Sequence, residues 1–142
     1  MPRNPPDGYH TVTPQLVMSD ARATIDFLRE VFGAEVKELL EDDDRVVHAE
    51  MRIGDSLVFV AGANEEFDPF PAMLSIYVDD VDVTHARAVE EGATSIREPE
   101  DQFYGDRTSG VVDKQGNQWW ISTHIEDVSE EEMRRRMTEM SG

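Results

Sequence analysis

No cysteine occurs among the 142 residues, which removes disulfides, thiolate zinc sites, iron–sulfur ligation and a cysteine nucleophile together. A metal would have to be held by histidine and carboxylate. Long apolar runs are missing too: nothing approaches the ~20 residues that span a bilayer, and no hydrophobic stretch follows Met1 to Pro6 in the manner of a secretory leader. The expectation is a cytoplasmic protein without a membrane partner. Positive charge is scarce, since 13 Lys and Arg face 31 Asp and Glu, for a net charge of -18. That excess repels phosphate backbones and argues against nucleic acid as a partner. Lys37 and Lys114 are the only lysines beside eleven arginines, a bias that suits either a high-salt cytosol or an acidic, solubilising surface. No nucleophile elbow, phosphate-cradling glycine loop or dinucleotide fingerprint is present, so serine-hydrolase, kinase and dehydrogenase readings fall away. Asp42-Asp43-Asp44 lacks the spaced ligands of a calcium loop and reads as a solvated turn.

What is present is enough for one ordinary domain over residues 1–142, built on a repeat of about sixty residues. Leu16 to Asp20, a helix over Ala21 to Phe32 and then Gly33 resemble Ile76 to Asp80, a helix from Val81 to Glu91 and then Gly92. In each copy a short apolar strand ends at an aspartate able to cap the helix, and the helix stops at a glycine. Ile25, Leu28, Val31 and Phe32 in the first helix, and Val81, Ala86 and Val89 in the second, are spaced to pack on a sheet.

Hairpin material follows. Val46 to Ile53 and Ser56 to Ala61 flank Gly54-Asp55, which sets Glu50 opposite Phe59 and Arg52 opposite Leu57. One face then carries Val47, Ala49, Met51, Ile53, Val58 and Val60, as core. The other carries His48, Glu50, Arg52, Leu57, Phe59 and Ala61, a mixture that suits a partly wet pocket. In the second copy Gly110 to Val112 and Gln118 to Ser122 turn through Asp113 to Asn117, so Trp119 and Trp120 point to opposite faces. Met73, Ser75 and Tyr77 likewise oppose Leu74, Ile76 and Val78. The modules run about 9–62 and 72–124, with a proline-bearing linker near 63–71. A C-terminal helix near 128–140 opens on the capping box Ser129 to Glu132 and carries Arg134 to Arg136 toward its end.

Two consecutive modules of this kind resemble the vicinal oxygen chelate superfamily of glyoxalase, bleomycin-resistance and extradiol-dioxygenase proteins. Over residues 9–125 the likeness rests on Thr13 to Leu16, Asp26 to Ala34, His48 to Asp55, Tyr77 to Val81, Pro99 to Arg107 and Asp113 to Asn117, which are similar to the PhnB-like subgroup. The resemblance implies an α+β fold of two βαβββ modules, whose two four-stranded sheets form a curled eight-stranded mixed sheet with a central cleft, and a homodimer. Metalloenzymes of the superfamily hold one divalent ion with four inward residues. The resemblance places those positions here at Thr13, Phe59, Met73 and Trp120, none a useful ligand, so the expectation is no metal and no cofactor.

The expected function is binding of a small, partly aromatic or cationic molecule. Gln15, Phe59, Met73, Ser75, Tyr77, Phe103, Tyr104, Asp106, Arg107 and Trp120 are the expected binding residues. Phe59, Tyr77 and Trp120 would stack, while Glu50 and Asp106 would pair with cations. The alternative is a lyase, isomerase or dioxygenase of the same fold, with His48 and Glu50 as catalytic residues or as ligands of a divalent metal completed by His10 or Asp106. The bland counterparts are a polar pair at a pocket rim, aromatics in plain core, and an Asp106–Arg107 surface ion pair. His10 and His124 read as structural, His85 as a helix-surface residue. A dimeric structural or regulatory protein with a vestigial cleft is the third class.

Overall fold

The computed structural model describes residues 1–141. The chain divides into two compact units, one ending at residue 72 and the other beginning at residue 73. The first contains β1 (Gln15–Met18), α1 (Ala21–Phe32), β2 (Glu35–Asp42), β3 (Arg45–Ile53) and β4 (Ser56–Gly62). The second contains β5 (Met73–Tyr77), α2 (Val81–Glu90), β6 (Thr94–Asp101), β7 (Asp106–Val112), β8 (Gln118–His124) and then α3 (Glu130–Ser141). The fold is α+β, two βαβββ modules each with one four-stranded sheet, ordered β1-β4-β3-β2 and β5-β8-β7-β6. In both sheets the first strand runs parallel to the last and the other neighbours are antiparallel.

The capping signals form as the sequence dictates. The Asp20 carboxylate accepts from the Ala23 N–H at 3.0 Å and that of Asp80 from the Val83 N–H at 3.2 Å, each satisfying a donor of the first helical turn. Gly33 ends α1 in the left-handed region at φ 67°, and its N–H returns to the helix. Ile25, Leu28 and Val31 of α1 are buried with Leu16, Met18, Ala49, Met51, Val58 and Val60, making the core of the first unit.

Two parts of the expected core are corrected. Val47 is exposed and Val46 takes the buried place, because the pairing of β2 with β3 shifts between Leu40 and Glu41. Such a bulge inserts a residue and reverses the alternation beyond it. On α2 the buried residues are Val81, Thr84, His85 and Ala88, whereas Ala86 and Val89 are exposed. His85 is therefore interior. Its Nδ1 lies 2.8 Å from the Ser109 hydroxyl and its Nε2 2.9 Å from a Glu98 carboxylate oxygen, so the imidazole is satisfied on both edges.

Below α2, Trp119 is fully buried beside Val111 and Ile121. The Asp113 carboxylate holds the preceding turn, accepting from the Gln115 and Asn117 N–H groups, the Asn117 amide and the Trp119 indole at 2.9–3.0 Å. In α3 the Ser129 hydroxyl accepts from the Glu132 N–H at 3.1 Å, half of the capping box. Arg134, Arg135 and Arg136 lie mid-helix, and the last turn holds no cation. Arg136 reaches Glu126 and the Phe103 carbonyl, tying α3 to the loop before β7.

Candidate binding site

Each sheet has one face under its helix and one open face. On the open face of the first unit, β3 and β4 set Glu50 opposite Phe59 and Arg52 opposite Leu57, and β2 adds Glu38 opposite Glu50. The segment before β1 crosses this face. Leu57 is buried beneath it, and a Cβ on Gly8 would lie 3.8 Å from Leu57 and 3.5 Å from the Arg52 guanidinium. Between segment and sheet lies a concavity of about 600 Å³, whose walls include Tyr9, His10, Thr13, Lys37, Glu38, Glu50, Arg52 and Phe59. The Tyr9 and Phe59 rings stand 5.8 Å apart and tilted. Glu50, Arg52 and Phe59 are half-buried, yet among the described residues neither charged group forms an ion pair or side-chain hydrogen bond.

His48 shares this face with Glu50, as residues two apart on a strand must. Its ring packs edge-on against Phe59 at 4.9 Å, and it does not line the concavity. Gln15 is the parallel neighbour of Phe59 and is exposed. Tyr9 carried no signal in the sequence, because a proline-rich lead-in has no periodicity from which its contacts can be read.

On the open face of the second unit Asp106 is buried, and its carboxylate accepts from the Tyr77 hydroxyl at 2.7 Å, while its other oxygen lies 2.8 Å from His124 Nδ1. The second His124 nitrogen is 2.7 Å from Asp127. Asp127 and then Asp106 raise the imidazole above its ordinary value, and the bond to Asp106 raises the Tyr77 phenol. Both Asp106 oxygens are thus engaged within the chain, a different arrangement from pairing with a ligand cation. Tyr77 is the register neighbour of Ser122, which is that of Thr108, whose buried hydroxyl has no partner among the described residues.

Arg107 faces the other way. Its guanidinium binds Asp82 and Asp101 at 2.9–3.0 Å, so the surface ion pair it makes is not with Asp106. Phe103 and Tyr104 pack on each other edge to face at 5.2 Å in the loop before β7. Trp120 lies over Gly110, where a Cβ would come within 2.7 Å of the ring, and the Arg97 guanidinium stands 4.9 Å from its centroid. Met73 and Ser75 are exposed on the same face. His124, read as structural from sequence, joins this cluster; its partners Asp106 and Asp127 lie 18 and 3 residues away, and Tyr77 reaches it only through Asp106.

A family model described as the Glyoxalase/Bleomycin resistance protein/Dioxygenase superfamily matches residues 9–121. The chain belongs to this superfamily. Its relatives include the uncharacterized proteins Mb0911c of Mycobacterium bovis and Rv0887c of Mycobacterium tuberculosis, each 30% identical, covering 89% of this chain and 91% and 82% of theirs. Among solved structures, TioX from Micromonospora sp. ML1 superposes with a TM-score of 0.71 at 23% identity, covering 82% of this chain and 99% of its own. A family enzyme from Burkholderia phytofirmans PsJN gives 0.64 at 20% identity, over 78% and 95%. At these identities the structural likeness concerns the fold.

The superfamily implies a divalent metal in some members, and the residues at the expected positions do not fit one. Phe59 has no donor atom, Trp120 presents an indole N–H that bonds to Gln118 at 3.0 Å, and Met73 has an exposed thioether. Thr13 supplies a single neutral hydroxyl. Among the described residues no three His, Asp or Glu side chains gather as a metal site.

Proposed function

We propose that this superfamily member binds a small molecule carrying an aromatic ring and a positive charge, in the concavity of its first unit and without a metal. One observation carries the reading: Glu38 and Glu50 are cross-strand partners on the wall that also holds Phe59, and a concavity of about 600 Å³ opens beside them. Like charges placed opposite each other on a sheet repel, and a ligand cation between them relieves that cost. The volume falls within the ~300–1,000 Å³ of small-molecule sites. Tyr9 already rests against Phe59, which is what an aromatic guest would do on the free part of the same ring. The likeness of separated sequence segments to the PhnB-like subgroup supports the same picture, and cytoplasmic location and pairing of two copies belong to it.

The enzymatic reading has Glu50 as a general base. It draws less support, because His48, its proposed companion, is turned onto Phe59. The test is a fluorescence titration with the aromatic cation proflavine. Glu50→Gln and Phe59→Ala are each expected to weaken binding about tenfold, and the affinity should fall as salt is added. Unchanged affinity in both variants would overturn the proposal.

A further inference from the structure

Among the described residues six of the eleven arginines are ion-paired, in a chain that has 31 carboxylate side chains. Three arginines are half-buried: Arg52, Arg107 and Arg136. Arg107 is held by Asp82 and Asp101, and Arg136 by Glu126 and Glu132, at 2.7–3.3 Å. Arg52 alone of the three meets no carboxylate and makes no hydrogen bond among the described residues. A guanidinium has five donors in a fixed fork, and withdrawing it partly from water without an acceptor is costly. The cost is tolerable where an acceptor arrives from outside. Arg52 lines the same concavity as Glu50, two residues along the same strand, so their Cα atoms are about 7 Å apart.

Resting on the reading above that this concavity binds an aromatic cation, we infer that Arg52 holds an anionic group of the same ligand. The ligand is then an aromatic zwitterion: its ring lies against Phe59, its cation between Glu38 and Glu50, and its carboxylate or similar planar anion in the fork of Arg52. Arginine is the residue suited to this task, because its paired N–H groups match the two oxygens of a carboxylate. An all-acidic wall would draw in any organic cation; the arginine converts that attraction into selection for molecules bearing both charges.

Three probes of one shape separate the alternatives at neutral pH: phenylalanine, which has both charges, 2-phenylethylamine, which has only the cation, and 3-phenylpropionate, which has only the anion. Binding to the full chain is followed by chemical-shift changes of backbone amides in β3 and β4. Phenylalanine is expected to bind about tenfold more tightly than phenylethylamine, and Arg52→Gln to bring the ratio of the two affinities to about one. Arg52→Lys, which keeps the charge and loses the fork, should retain part of it. Equal affinities for phenylalanine and phenylethylamine in the unaltered protein, or a preference that survives Arg52→Gln, would overturn the inference and leave the aromatic-cation reading standing. No binding by either amine would overturn both.

Discussion

Tyr9 lies with its ring 5.8 Å from that of Phe59, so a segment without regular structure supplies an aromatic wall to a site whose floor is sheet. An aromatic pair of this kind contributes ~0.5–1.5 kcal/mol beyond simple burial. Tyr9→Ala is expected to weaken proflavine binding about three- to tenfold and to leave the thermal midpoint within about 3 °C, since the residue lies outside both cores. Fluorescence titration and differential scanning calorimetry check the two halves.

The second unit depends on the Asp113 carboxylate, which accepts from four donors, two of them on the fully buried Asn117 and one on Trp119. Removing it takes away four hydrogen bonds to a charged acceptor, at ~1–3 kcal/mol each. Asp113→Ala should destabilise the protein by about 3 kcal/mol or more in urea unfolding, with Asp113→Asn in between.

The paired modules were legible because Asp20, Asp80, Gly33 and Gly92 repeat at matched places around amphipathic segments. The hairpin register of β3 on β4, with Glu50 opposite Phe59, followed from Gly54-Asp55 and strict alternation. Three features did not follow. β2 and β6 show no buried residue and one half-buried residue respectively, so no hydrophobic alternation marks them. The bulge between β2 and β3 exposes Val47, and a bulge is a property of two strands together. His85 meets Ser109 and Glu98, and His124 meets Asp106, at separations of 13 to 24 residues that a local pattern does not connect; only Asp127, three residues after His124, lay within local reach. The concavity was half visible. Its sheet wall came from alternation, but the lead-in that closes it has only sterically restricted prolines and a left-handed Gly8 to guide it.

His124 gives a pH signature. Its pKa is raised above 6.5 in the folded chain by Asp127 and then Asp106. A group whose folded pKa lies above its unfolded one stabilises the fold fully below the unfolded value, and that contribution fades as pH rises through the folded value. Stability from this site should therefore decline from about pH 6.5 upward. Proton NMR titration of the His124 ring should show the raised pKa, and Asp106→Asn should lower it. An imidazole titrating at the ordinary value in both proteins would contradict the assigned contacts.

Thr108 is 5 % exposed and its hydroxyl finds no partner among the described residues. Burying an unpaired hydroxyl is unfavourable, and valine has nearly the same shape without it. Thr108→Val is therefore expected to raise stability by about 1 kcal/mol, the opposite sign from most core substitutions, as read by the urea midpoint at constant slope.

The central claim, that the first unit's concavity takes an aromatic cation without a metal, is tested most directly by calorimetric titration of proflavine into protein stripped with a chelator and then resupplied in turn with zinc, nickel, manganese and ferrous iron. The account predicts one site per chain with the same affinity in every preparation, weakened about tenfold by Glu50→Gln. Binding that appears only after about one equivalent of metal is retained, and that is indifferent to Glu50→Gln, would contradict it.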